Sequence, residues 1–357
     1  MASEAVEKHY SIDVERMIDR VLEMPAQMRQ SWESAGAFAE EQSPPASQMV
    51  ICGMGGSAIG GRLLKDLIGR EKGASIHLER GYLLPSFSGT DTKVICVSYS
   101  GNTEEVISTF RDGLSRGCEV SVITSGGILM DEAVKAGVPL LKVPDGIPPR
   151  AAIGHLFTPL LRIVTEWGIF SVDGGGFSSA MENMESLLDD CRPDADLAGN
   201  SALQLAHRLY GKVPLIYSGN GLLSGISYRW KCQLNENSKC MAFSNTFPEL
   251  GHNEVMAWEC PEKLRQDIFL IMLRDRDDHP RVQKRIDATM SILEPLAGGS
   301  IGLDSDGGGG GVGRLSRLLS MLAMADLTSV YLAVEYGRDP TPIGKIEEIK
   351  KKLGSED

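Results

Sequence analysis

The chain has no CxxC pair. Its seven cysteines (Cys52, Cys96, Cys118, Cys191, Cys232, Cys240 and Cys260) are dispersed, and none stands at zinc-ligand spacing from a histidine. That excludes the common structural zinc motifs, and an odd, scattered set of thiols points to a reduced, cytoplasmic protein in which several cysteines fill a core. Basic residues are in deficit, 36 Lys and Arg against 48 Asp and Glu, for a formal charge of −12. Such a balance argues against nucleic acid or an anionic membrane surface as a general partner. Also missing are an apolar run long enough to span a bilayer and, over residues 1–8, the basic-then-apolar pattern of a secretory signal. No cluster of His, Asp and Glu supplies three metal ligands, so no metal site is expected.

What the chain does have is alternation. At 357 residues, 42% of them hydrophobic, it can hold two α/β domains of ordinary size. Helical periodicity over residues 11–34 is interrupted at Pro25. Strands are expected at 49–52, 75–80, 93–97, 119–124 and 139–143, with helices through Leu63 to Ile68 and at 103–116 and 130–136. A second series follows. Its strands are expected from Val213 and at 241–243 and 267–273, and its helices at 224–238, 252–257, 279–295 and 315–333, before a lysine-rich last helix. The implied fold class is α/β, two tandem domains each built as a parallel sheet between layers of helices. The expected boundaries are residues 1–170, an interdomain crossover at 171–198, and 199–357. The glycine run at 307–311 reads as a flexible loop tip.

Ligands of such sheets sit at the carboxyl ends of the strands, and two distinctive turns fall there. Gly53-Met54-Gly55-Gly56-Ser57 follows the first strand, and Ser98-Tyr99-Ser100-Gly101-Asn102-Thr103 lies between a strand and a helix. Hydroxyls at Ser57, Ser98, Ser100 and Thr103, beside the unpaired N–H groups of a helix start, suit a phosphate. No lysine follows the glycine of the second turn, so it is not the P-loop of a nucleotide hydrolase. A serine or threonine helix cap would explain part of the second turn, and Glu79 after the first would suit a dinucleotide ribose. Two hydroxyl-rich turns on one sheet favour a compact phosphate held from both.

These two turns resemble the sugar isomerase (SIS) domain. Further strings resemble, more narrowly, the bifunctional phosphoglucose/phosphomannose isomerase family. They are Pro149-Arg150-Ala151-Ala152-Ile153-Gly154, the stretch from Arg229-Trp230-Lys231 through Asn235-Glu236-Asn237-Ser238-Lys239, Phe247-Pro248-Glu249-Leu250-Gly251-His252, Ser329-Val330-Tyr331 and Asp339-Pro340-Thr341-Pro342. The resemblance implies a cofactor-free isomerase of hexose 6-phosphates. Gly56, Ser57, Ser98, Ser100 and Thr103 would hold the phosphate. Moving a proton between C1 and C2 needs a carboxylate beside the sugar, by resemblance Glu236. Opening the ring needs a group that titrates near neutrality, by resemblance His252, aided by Lys350. Arg150 would stabilise the enediolate. The lysine run leaves Lys345 and Lys351 open beside Lys350. The resemblance also implies a homodimer in which His252 reaches into the partner's site. His155 is expected to pack or to make an accessory polar contact, not to catalyse. A phosphosugar-binding regulator would need neither Glu236 nor His252, and an amidotransferase half would need a nucleophilic cysteine that Met1-Ala2-Ser3 does not provide.

Overall fold

The computed structural model describes residues 2–45, 48–69, 75–172, 176–306 and 313–353; the glycine run at 307–311 lies outside them. In chain order the elements are α1 (Ala2–Ile12), α2 (Met17–Leu22), α3 (Met24–Glu40), β1 (Gln48–Cys52), α4 (Gly55–Ile68), β2 (Ser75–Glu79), β3 (Thr92–Ser98), α5 (Glu104–Ser115), β4 (Glu119–Thr124), α6 (Gly127–Ala136) and β5 (Leu140–Lys142). A single 3-10 turn, Pro149–Ala151, leads into α7 (Ile153–Glu166), followed by α8 (Gly176–Asp190), α9 (Ser201–Leu209), β6 (Val213–Gly219), α10 (Ser224–Glu236) and β7 (Phe243–Phe247). After three more 3-10 turns come β8 (Ile268–Arg274), α11 (Pro280–Leu293), β9 (Ser300–Asp304), α12 (Arg314–Glu335) and α13 (Gly344–Leu353).

The strands form two parallel sheets, ordered β2-β1-β3-β4-β5 and β7-β6-β8-β9. In the first, Cys52 at the end of β1 stands opposite Glu79 of β2 and Cys96 of β3. Strand order therefore reverses at β1, and the turns after β1 and β3 flank the crevice where open α/β sheets bind ligands.

Both faces of each sheet are covered, as parallel pairing demands. Val50, Cys52, Val94, Cys96, Val120 and Val122 pack under Val106, Phe110, Leu129 and Ala133 of α5 and α6. Ile51, Ile95, Val97 and Ile123 project the other way, into a core that runs through α3, α4, α7 and α12 to Ile216, Ile271 and Leu273 of the second sheet. The outer face of the second sheet, Leu215, Tyr217, Leu270 and Met272, is closed by Phe247, Trp258, Ile286 and Leu293. By length and apolar composition α12 could cross a membrane, but 83% of its apolar window is buried in this shared core.

Three local expectations are corrected. Pro25 does not interrupt a helix; it sits in the first turn of α3, where its missing N–H costs nothing. The strand expected at 241–243 runs instead over Phe243–Phe247, in register with Leu215 to Gly219 of β6. The helix expected at 252–257 is a chain of 3-10 turns, Glu249–His252, Glu254–Trp258 and Glu262–Asp267, with Pro248 before the first and Pro261 before the third. The stretch 171–198 carries α8, which packs on α12, with Asn183 Nδ2 donating to Ser316 Oγ at 3.2 Å.

Candidate active site

The two hydroxyl-bearing turns are laced together. Ser57 is the third residue of α4, and its Oγ accepts the Tyr99 N–H at 3.0 Å, so the turn after β1 is bonded to the turn after β3. Ser98, fully buried, spends its hydroxyl inside its own turn, accepting from Gly101 N–H at 3.1 Å and donating to Thr103 Oγ1 at 3.0 Å. Ser100 Oγ accepts from Asn102 N–H at 3.3 Å. Among the described residues Ser57, Ser100 and Thr103 thus serve only as acceptors, and their three O–H groups remain to donate. The first N–H groups of α5, which Thr103 precedes, add backbone donors. Ser98 shapes this cradle, and the other three supply its donors. Gly101 has φ 68° and packs on the Gly126 carbonyl so closely that no side chain fits there.

Gly56 joins the cradle to the residues expected to do chemistry. A methyl group there would stand 2.9 Å from Pro149 O and 3.1 Å from Arg150 N, so only glycine lets the 3-10 turn at Pro149–Ala151 lie on the start of α4. From that turn the Arg150 side chain reaches across to the second half of the chain and is buried. Its Nε donates to Asn237 Oδ1 at 2.6 Å, and its Nη2 donates to Pro340 O at 2.9 Å and Thr341 O at 2.7 Å. Nη1 makes no hydrogen bond among the described residues and stands 3.9 Å from Glu236 Oε2. The guanidinium is therefore held on two edges with its third aimed toward Glu236. Burial pushes its pKa down, opposed by the Glu236 carboxylate.

Glu236 is the last residue of α10 and is partly exposed. The next residues anchor it. Asn237 Nδ2 donates to Ser329 Oγ at 2.9 Å, and Ser238 Oγ donates to Ser329 O at 2.6 Å. One helix turn and more upstream, Arg229 pairs with buried Asp326 of α12, Nε to Oδ1 at 3.0 Å and Nη2 to Oδ2 at 2.5 Å. The same Nη2 donates to Arg150 O at 2.8 Å. Burial pushes the Asp326 carboxyl up, and the Arg229 guanidinium opposes it.

The structure brings together Gly56, Ser57, Ser98, Ser100, Thr103, Arg150 and Glu236. Within this one chain it does not bring in His252, which is exposed at the end of the 3-10 turn Glu249–His252. Nor does it bring in Lys350, exposed with Lys345 and Lys351 on α13. His155 is buried with Nδ1 2.7 Å from Ser31 Oγ, and burial pushes its pKa down. The turn after β6 repeats the form of the first sheet's turns but not their chemistry. There the Asp278 carboxylate packs on Gly219 and Gly221, and burial followed by the neighbouring carboxylates raises its pKa to about 6. That turn presents a carboxylate where the turns of the first sheet present hydroxyls.

Sequence reasoning missed Arg229, Asp326 and Lys239 as site residues. The available signal was Asp326, the single acid between Leu315 and Val334 of an apolar helix. A lone carboxylate in such a helix needs a partner.

Comparison with known proteins extends over the whole chain. A family model described as the bacterial phospho-glucose isomerase C-terminal SIS domain matches residues 198–353. The chain is 34% identical to a bifunctional phosphoglucose/phosphomannose isomerase of Caldicellulosiruptor bescii, across 94% of this chain and 98% of that one. It is 38% identical to the protein of the same description in Aquifex aeolicus, across 87% of this chain and 91% of that one. A hypothetical protein of Thermus thermophilus shares the fold, with a TM-score of 0.76 at 14% identity over 99% of this chain and 94% of that one.

Proposed function

The chain belongs to the bifunctional phosphoglucose/phosphomannose isomerase family, and on that premise we propose that it interconverts glucose 6-phosphate and mannose 6-phosphate with fructose 6-phosphate. The observation that carries this reading is the Arg150–Glu236 pair, 3.9 Å apart with Nη1 unspent, bound through Gly56 to a hydroxyl-lined turn. The phosphate takes the O–H groups of Ser57, Ser100 and Thr103 and the N–H groups at the start of α5. With the phosphate fixed, the open-chain sugar lays C1 and C2 beside Glu236. Its carboxylate removes the proton from one carbon and returns it to the other, and Arg150 Nη1 holds the enediolate oxygen that forms between the two steps. No redox cofactor enters, because the reaction only relocates a hydrogen and a carbonyl. Opening the pyranose falls to His252 supplied by a second copy of the chain, with Lys350 at the ring oxygen.

Purified protein is expected to form fructose 6-phosphate from both aldose phosphates, equally with and without EDTA. Binding of phosphosugar without turnover would instead make this a regulator. The two-chain site has its own test. Glu236→Gln and His252→Asn proteins are each expected to be inactive, whereas a 1:1 mixture allowed to exchange subunits should recover about a quarter of wild-type activity, since half the dimers then hold one intact site. A mixture that stays inactive after exchange is demonstrated would place His252 in its own chain's site.

A further inference from the structure

We propose that Lys239 is a positioning residue for the proton transfer: its ammonium clamps the carbonyl oxygens of Glu236 and Pro340, locking the base-bearing end of α10 onto the loop that orients Arg150. The proposal rests on the reading of Glu236 as base and Arg150 as its electrostatic partner. Lys239 Nζ donates to Glu236 O at 2.8 Å and to Pro340 O at 2.6 Å. Pro340 O is also an acceptor for Arg150 Nη2, at 2.9 Å, so one carbonyl is gripped by both cations. Glu236 ends its helix, and its own carbonyl has no partner further along the helix to complete it. The ammonium fills that vacancy, at the end of a helix where positive charge is favoured.

The backbone gives a second, independent sign. Lys239 has φ 56°, a left-handed conformation that glycine adopts at no cost and a lysine resists. The chain turns out of α10 at this residue, so a glycine would serve the turn better. A lysine in that place is explained by what its side chain does. The setting also makes the clamp sensitive to pH. The groups facing Nζ are Arg150 from the 3-10 turn, Glu236 from α10 and Asp339 from the loop before α13. Lys239 as a whole is exposed, but desolvation at its ammonium first, then Arg150, push that group down to about 8 against the opposing pull of Asp339 and Glu236. Above that pH two charge-assisted bonds become ordinary ones, and kcat falls as pH rises through about 8.

Three variants test the clamp: Lys239→Gly, Lys239→Arg and, as control on the underlying reading, Glu236→Gln. Lys239→Gly relaxes the strained backbone while removing the cation. The expected result is unchanged or higher thermal stability, a kcat lower by about 30-fold or more, and a KM for either aldose phosphate within about threefold of wild type. Lys239→Arg keeps a cation that does not titrate here, so it is expected to restore much of kcat and to move the alkaline limb upward. Wild-type kcat in Lys239→Gly, or an alkaline limb left in place in an active Lys239→Arg protein, overturns the clamp. If Glu236→Gln is inactive in the same assays, only the clamp has failed; if Glu236→Gln turns over normally, the base assignment beneath it has failed.

Discussion

Replacing Glu236 with glutamine should lower kcat for both aldose phosphates by about 1,000-fold, within the span that a positioned general base contributes. Glutamine keeps the size and hydrogen-bonding outline of the side chain, so the end of α10 and its anchors at Asn237 and Ser238 stay in place. What it cannot do is accept the C2 proton. In the proposed reading the phosphate is held by the hydroxyls of Ser57, Ser100 and Thr103, whose hydrogen bonds among the described residues do not involve Glu236. KM should therefore move by less than about threefold, the pattern of an interaction made only in the transition state. Exchange of the C1 and C2 hydrogens with solvent deuterium should disappear along with turnover. A variant that still exchanges those hydrogens would assign the base to another residue. Arg150 gives the complementary case: it loses a carboxylate neighbour at 3.9 Å but keeps its bonds to Asn237, Pro340 and Thr341, so the guanidinium is not released by the change.

The parts of the molecule that could be read from sequence are those where local chemistry decides the structure. β1, β3 and β8 each carry a continuous apolar run, at 49–52, 94–97 and 268–273, because both of their faces are buried. β9, Ser300–Asp304, escapes a sequence reading because it is an edge strand next to Gly298 and Gly299, with only partial burial. β7 is displaced from its expected place because its middle, Ser244-Asn245-Thr246, looks like a loop until β6 supplies its register. The hydroxyl turns announce themselves by composition, yet composition cannot distinguish Ser98, which is spent on its own turn, from Ser100, which is not. The bonds that set the chemistry are long in sequence. Arg150 meets Asn237 and Pro340 across 87 and 190 residues, and Arg229 meets Asp326 across 97. No local pattern carries such pairings; they arise because α10 and α12 pack together beneath the Pro149–Ala151 turn.

That packing makes Asp326→Asn the substitution with the largest expected effect on stability. Asp326 is fully buried and binds Arg229 through both oxygens, and Gln233 hydrogen-bonds it as well. Removing its charge leaves a guanidinium inside the shared core facing only neutral acceptors, the asparagine Oδ1 and the Arg150 carbonyl, among the described residues. Stranding a buried charge in this way costs about 3–5 kcal/mol, which should appear as a large drop in the urea midpoint without a change in slope. The pair need not itself be stabilising. Exchanging both members for apolar groups, Arg229→Met with Asp326→Leu, should regain most of the lost stability, since neither charge then remains to be desolvated. Activity should not return with it. Arg229 Nη2 holds the Arg150 carbonyl at 2.8 Å, and without that bond the Pro149–Ala151 turn is free to shift the guanidinium away from Glu236. A misplacement near 1 Å lowers rates by about 100-fold, so the double variant should be stable and slow. Full kinetics in a stable double variant would mean that Gly56 and the cradle alone position Arg150. An unchanged urea midpoint in Asp326→Asn would mean that Arg229 finds another partner when the carboxylate is gone.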